Sequence, residues 1–461
     1  MSANLRIAIV VFIVCILAVS TALVVDSNLY DIRMILLSFF LILLLSIIIV
    51  TEHDHFSPLI FFSLLFYGYA FSGLYFSFYE NIQYAKFFNF AGNFGAQDLA
   101  DSLISVIVGY IFFVVGYKLI DFPKVKINFD IKGLNCNSSL LIVFLYISFT
   151  LSFFYWIVVS YVLANGPIDL LSNIGIYVLL LENNYISTAP YLFAYTSTSL
   201  LFLVYLKTRE KIPFLLFVAI FLSFIMYLST GRLSGAVFYL LSYPLMYFVF
   251  YQYKINKKIV FMILFFAVLL VGSYVYREYS NLAYLGLEMD DDILHMLGKH
   301  FFGMTNLGDL QGIAFTKQYT EDVGFLYGIT FTDFLMDWIH VMTGISVDST
   351  SVGLRLKEYY FFNVATGAPA PGVISEVIIN FGIFGITIVM LIIGVVVKYI
   401  SAVLSQKNSI FNTYLRVHFL LFLMLLSKVD SSHISHLLWV YLPFYLFAFI
   451  AVLVSKVRIA M

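Results

Sequence analysis

Residues 367–400 read GAPAPGVISEVIINFGIFGITIVMLIIGVVVKYI. From Val373 to Val397 the stretch stays apolar for longer than the ~20 residues a helix needs to cross a bilayer, yet it contains a carboxylate, Glu376, and an amide, Asn380. Four residues apart, the two share a helix face. A carboxylate within an apolar span costs about 2.5–3.5 kcal/mol on insertion scales. Two explanations follow: Glu376 faces a polar cavity, or it is the hydrogen-bond partner of a loop amide. Pro369 and Pro371 keep the approach to the helix extended, and Gly382 and Gly385 are expected to admit a closely packed neighbour.

The rest of the chain is written in the same register. Of its 461 residues 62% are hydrophobic and 11% charged, against about 45–50% and about 25% in soluble proteins. With 50 Phe and 34 Tyr and so few charges, no water-facing surface covers a chain of this length, and its main solvent is lipid. The net charge of −1 supplies no field for a nucleic-acid partner. Cys15 and Cys136 suggest no disulfide framework.

Apolar runs long enough to span fall near 5–25, 32–50, 57–78, 101–117, 139–163, 188–206, 213–229, 232–252, 258–276, 373–397, 411–427 and 436–455. The expected fold is an all-α polytopic membrane protein with about twelve transmembrane helices. Helices one to nine occupy 1–276, one large loop occupies 277–372, and helices ten to twelve occupy 373–461. The first run has almost no basic stretch before it and no clear small-residue cleavage site before Asp26, so it reads as a retained helix; a signal peptide is the alternative. With the N-terminus inside, the inner connections hold most of the 25 basic residues, among them Lys118, Lys124, Lys207, Arg209, Lys254, Lys257 and Lys398. The positive-inside bias places both termini in the cytoplasm. The large loop lies outside and is acid-rich, with candidate helices at Asp290–Phe302 and Thr332–Met342. A large loop in one half only, without a repeat, disfavours the inverted halves of a secondary transporter.

Polar chemistry collects at the outer rim. Arg232, in STGRLSG, begins the eighth span, where Ser229 and Thr230 can cap the helix; Arg277, in VYREYS, ends the ninth. An antiparallel hairpin lifts both arginines to one membrane level, where they either snorkel to headgroups or form an anion site. In TFTDFLMDWIHVMTG the residues Asp333, Asp337 and His340 fall at i, i+4, i+7, on one helical face. An Asp–His pair orients an imidazole and raises its basicity, while the plainer alternative is a solvated face of a loop helix. His295, His300, His433 and His436 make no zinc spacing, and no HExxH, CxxC, P-loop, GxGxxG or GxSxG occurs. No cofactor is expected.

The segment Pro369–Gly385, with its P-x-P-G-x-x-S-E-x-x-x-N-F-G-x-x-G pattern, the phrase LYGITFTDFL at 326–335 and the TGR turn at Arg232 resemble the bacterial O-antigen polymerases (Wzy), the oligosaccharide repeat-unit polymerases. The resemblance implies a GT-C-like, inverting, metal-independent glycosyltransferase of the cytoplasmic (inner) membrane with a periplasmic active site. Donor and acceptor would be undecaprenyl-pyrophosphate-linked oligosaccharides, with a chain-length regulator of the Wzz co-polymerase type as a possible further partner. The related O-antigen ligases use outer-level arginines for pyrophosphate and a large-loop histidine near the acceptor, and by position Arg232 and Arg277 match the arginines and His340 the histidine. The residues' own chemistry offers His340, Glu376 or Asp337 as the base for a sugar hydroxyl, with Asn380 and Tyr327 as candidate substrate-binding residues. The spacing of Arg, ten residues, then Gly found in the related O-antigen ligases is not reproduced after Arg277, where position 288 is Glu. The alternatives are a lipid-linked oligosaccharide flippase, an O-antigen ligase, and a non-catalytic scaffold.

The orientation is checked by cysteine labelling of intact cells with a permeable outer membrane. Cysteines placed at 207–211 and 254–258 should stay shielded from an impermeant thiol reagent, and one near Thr350 should react; the reverse pattern overturns the orientation.

Overall fold

The computed structural model describes residues 30–52, 54, 56–78, 96–122, 139–172, 189–208, 212–229, 233–251, 310–332, 352–360, 372–404, 410–426 and 441–450. Among these every regular element is a helix and no strand occurs. All the expected spans except 5–25 and 258–276, which lie outside the described residues, coincide with a helix. Among the described residues four helices are long and apolar enough to cross a bilayer: Ile32–Thr51, Gln97–Leu119, Leu141–Leu163 and Gly372–Val403. Phe214–Leu228 and Tyr441–Ile450 are apolar but shorter. The expected loop helix at Asp290–Phe302 lies outside the described residues, as does that at Thr332–Met342 beyond Thr332. Within 277–372 the described residues also form two helices that hydropathy did not mark, Leu310–Asp322 and Val352–Tyr360.

In chain order the helices are α1 (Tyr30–Thr51), α2 (Pro58–Phe78), α3 (Ala96–Leu119), α4 (Ser139–Leu163), α5 (Pro167–Ser172), α6 (Ala189–Thr208), α7 (Phe214–Leu228), α8 (Leu233–Tyr251), α9 (Leu310–Asp322), α10 (Val352–Tyr360), α11 (Gly372–Val403), α12 (Ile410–Leu425) and α13 (Tyr441–Ile450). They divide between two compact units, one built from 1–123, 294–402 and 422–435, the other from 124–293, 403–421 and 436–461.

The first unit packs α1, α2 and α3 against one another, with α9 laid on α3, α2 and α10. Hydroxyl pairs link the apolar helices: Ser46 with Tyr67 at 2.8 Å, Ser57 with Tyr117 at 3.1 Å, and Ser63 with Tyr110. Each satisfies groups that hydrocarbon would leave unpaired. Between α3 and α11 the backbones themselves meet. A Cβ on Gly116 would overlap the Leu391 carbonyl oxygen, and one on Gly394 would overlap the Phe113 carbonyl oxygen. This reciprocal glycine contact is the small-residue packing by which helices associate in lipid, where no hydrophobic force drives them together. At the end of the same pair Lys398 lies 4.8 Å from the Tyr117 ring centroid and 3.8 Å from Asp121, and Lys118 binds Glu52 at 2.6 Å. Near the start of α3, Arg33 binds Asp101 at 3.2 Å. On α9, burial holds the Lys317 ammonium below the usual lysine range, outweighing the pull of Asp101, Asp98 and Glu321.

The second unit is centred on α6, which packs on α4, α7 and α8. Phe149, Trp156, Tyr191, Ala194, Ala219 and Met226 form its core. A buried polar seam runs through it. Tyr195 donates to His418 Nε2, His418 Nδ1–H donates to the Tyr414 carbonyl at 2.7 Å, and Thr198 meets Tyr243 at 2.8 Å. With both ring nitrogens engaged, His418 is a satisfied core histidine. Ser229 corrects an expectation. It ends α7 in the right-handed helical region rather than capping α8, its hydroxyl donating to the Met226 carbonyl at 2.6 Å and accepting from Trp156 Nε1 at 3.0 Å.

The glycine contact predicts an ordered response. Gly116→Ala and Gly394→Ala press a methyl on rigid backbone and should each cost about 1–3 kcal/mol or more. Gly109→Ala meets the movable end of Ile374 first and should be tolerated better. Yields of monodisperse detergent-solubilised protein rank the three; equal yields would mean the two helices separate freely.

Candidate functional site

The site forms where α11 breaks. Gly382 has φ 71° and ψ −170°, a backbone conformation open to glycine and strained for other residues. The expected continuous tenth span is therefore two helical arms, 372–381 and 383–403, and Gly382 serves the break rather than close helix packing. A Cβ at Gly382 would lie 3.0 Å from the Phe325 ring, so space as well as dihedral demands glycine.

A break leaves the last carbonyls of the first arm without the amides four residues on. The loop after α9 supplies replacements. Leu326 N–H donates to the Ile379 carbonyl at 3.0 Å and Tyr327 N–H to the Asn380 carbonyl at 3.1 Å. Gly328 N–H donates to Asn380 Oδ1 at 2.8 Å. The other half of the Asn380 amide donates to Thr330 Oγ1 at 2.6 Å and to the Glu376 carbonyl at 2.7 Å. Thr330, its oxygen accepting from Asn380, turns its own proton to Glu376 Oε1 at 3.0 Å. Glu376 is 1% exposed, and Thr330 and Asn380 are equally buried. The result is a directional chain, amide to hydroxyl to carboxyl, clasping residues 326–330 to the first arm.

Packing supports the clasp from both sides. Phe315 and Tyr319 of α9, Val352 and Leu356 of α10, and Ile379 of α11 form one buried cluster with Leu326 against it. At the other end of the arm, Val373 N–H donates to the Leu426 carbonyl at 3.0 Å. The loop itself turns through left-handed backbone at Tyr327, φ 48°, and Gly328, φ 93°, then closes in a 3-10 turn at Ile329–Thr332. A tyrosine held in that region is strained by about 1–3 kcal/mol, and its ring is 79% exposed.

Three of the residues singled out from sequence thus meet in one place: Glu376 and Asn380 in the first arm, Tyr327 in the loop the arm holds. Asn380 binds the protein's own loop. The Glu376 carboxyl accepts from the same loop, from the Thr330 hydroxyl rather than from a loop amide. Arg232, Arg277, Asp333, Asp337 and His340 lie outside the described residues, as do His295, His300, His433 and His436. Thr330, the hub of the chain, was missed. A threonine in a loop carries no signal until the loop is known to lie against Glu376, although the Tyr-Gly pair before it marks a turn. Among the described residues no group of three His, Cys, Asp or Glu side chains is placed to hold a metal ion.

Compared with family models, with curated proteins and with solved structures, the chain matches none.

The clasp predicts that Thr330→Val, which keeps the shape, leaves Asn380 Nδ2 and Glu376 Oε1 each short of a buried partner. The expected loss is about 1–3 kcal/mol per orphaned group, seen as a lower unfolding temperature and faster proteolysis between α9 and residue 332. Thr330→Ser should restore both bonds; equal behaviour of the two variants would show that the hydroxyl is idle.

Proposed function

We propose that the chain is a glycosyltransferase of the bacterial inner membrane that polymerises undecaprenyl-pyrophosphate-linked oligosaccharide repeat units at the periplasmic face. One observation carries the reading: a rigid exposed loop is fastened by a buried carboxyl, hydroxyl and amide to a broken helix long enough to span the bilayer. This loop and this arm bear the two phrases, LYGIT and P-x-P-G-x-x-S-E-x-x-x-N-F-G, that resemble the Wzy polymerases. A membrane enzyme acting on a lipid-linked sugar needs a fixed element at the rim to orient it, since positioning supplies much of the rate of a group transfer. The clasp is such an element.

In the reaction, a hydroxyl oxygen of the acceptor sugar attacks the anomeric carbon of the donor from the face opposite the pyrophosphate. The C–O bond to the pyrophosphate breaks, the electron pair leaves with the phosphate oxygen, and the configuration inverts. The hydroxyl proton passes to His340, for which Asp337, three residues earlier in the sequence, is the proposed orienting partner. Arg232 and Arg277 meet the growing charge on the leaving group. Glu376, Asn380 and Thr330 act as positioning residues through the loop that leads directly into 333–340.

The clasp also bears on the flippase alternative. In transporters with broken helices, half-helix ends coordinate the driving ions, whereas here the freed carbonyls are occupied by Leu326 and Tyr327 amides. That favours a loop-bearing enzyme over an ion-coupled carrier.

Gel analysis of surface polysaccharide tests the proposal. Deleting the gene should remove the ladder of chain lengths and leave a single-repeat band, whereas loss of a flippase removes both and loss of a ligase removes even the single repeat. In complemented cells at equal protein level, His340→Ala should abolish the ladder, Arg232→Lys and Arg277→Lys should cut it severely, and Glu376→Gln should leave part of it. Normal polymer from His340→Ala with none from Glu376→Gln would make the carboxyl the base.

A further inference from the structure

Four rings lie around the break, three of them exposed and Phe331 half-buried. Phe325 and Tyr327 meet edge to face with centroids 6.3 Å apart, and Phe331 stacks on Phe381 at 6.1 Å and 17°. Two glycines join the pairs. The Phe325 ring rests on Gly382, and a Cβ at Gly328 would lie 3.4 Å from the tip of Phe381. Tyr327, Phe325 and Phe381 are all substantially exposed. Nothing about a membrane-facing surface requires this rigidity. An aromatic belt forms from rings on ordinary helix ends, whereas here the backbone under Tyr327 is strained and bolted down by three consecutive amides, at Leu326, Tyr327 and Gly328.

Strained backbone that holds a side chain out for contact is a feature of ligand clamps. Beside the rings lie exposed apolar Val323 and Ile329, and beyond them in sequence exposed Glu321 and Asp322 on one side and Thr332, its hydroxyl donating to the Ile329 carbonyl at 2.7 Å, on the other. A pyranose ring has a matching make-up, an apolar face of C–H bonds with hydroxyls around its edge that carboxylates can bind. We infer that Phe325, Tyr327, Phe331 and Phe381 form a shelf on which a pyranose ring of the oligosaccharide substrate stacks. The inference rests on the glycosyl-transfer reading and locates the sugar subsite within it.

Tyr327→Gly separates binding from folding. Glycine relieves the left-handed strain, so this variant should unfold no lower than the wild type while losing the ring. The full chain in nanodiscs is titrated, by saturation-transfer NMR, with the repeat-unit oligosaccharide released by mild acid from the lipid carrier of the same cells. Wild type and Tyr327→Phe should bind alike. Tyr327→Gly and Phe381→Ala should each bind about 2- to 12-fold more weakly, the worth of one aromatic stacking contact. Wild-type binding in Tyr327→Gly and Phe381→Ala overturns the shelf. So does absence of wild-type binding together with quenching of a Tyr327→Trp fluorophore by acyl-brominated lipid, which assigns the surface to the membrane. Because the measurement needs no turnover, it decides the shelf even where gene deletion leaves the ladder intact and the polymerase reading falls.

Discussion

An interrupted helix must find new partners for the backbone it buries. Each carbonyl buried without a partner costs several kcal/mol. At Gly382 the chain accepts the interruption and meets the demand with the amides of Leu326 and Tyr327. The packing around the break accords with that exchange. The loop must lie along the arm, α9 and α10 must pack where they hold Leu326 down, and Tyr327 must accept an unfavourable backbone to keep register with the freed carbonyls.

The clasp also resolves the cost of a carboxylate in an apolar helix. At Glu376 a threonine hydroxyl, itself accepting from Asn380, donates to the carboxyl. Chains of hydrogen bonds polarise one another, and a fully satisfied network fixes a single geometry where an apolar contact would let the loop slide. In the proposed reaction these buried polar groups set position. That division of labour leaves the proposed proton transfer to the segment that follows the loop, and the sugar to the rings the loop displays.

Below the break the demands are different. Residues 383–403 meet α3 through Gly116 and Gly394, backbone on backbone, with Lys398 closing the far end over Tyr117. Close glycine contact and hydroxyl pairs do in lipid what hydrophobic burial does in water. The second unit solves the same problem differently, with a seam of tyrosine, threonine and histidine around α6.

Much of this was legible in the residues alone. Hydropathy located helices because a membrane segment must satisfy its backbone internally, and that constraint is written locally as apolar length. Glu376 and Asn380 stood out because their cost in such a segment is intrinsic, and their spacing placed them on one face whatever surrounded them. What stayed hidden was anything joining distant stretches. Gly382 read as a packing glycine, since a positive φ is a property of the folded backbone and not of the letter. Ser229 read as a cap because the competing Trp156 lies 73 residues away in sequence. Thr330 read as nothing, since its meaning depends on a carboxyl 46 residues further on. Local periodicity determined which segments are helices and which polar groups are exceptional; only the tertiary structure decided which hydrogen bond each exceptional group makes, because a partner is chosen by proximity in space, and that is set by the packing of the whole unit.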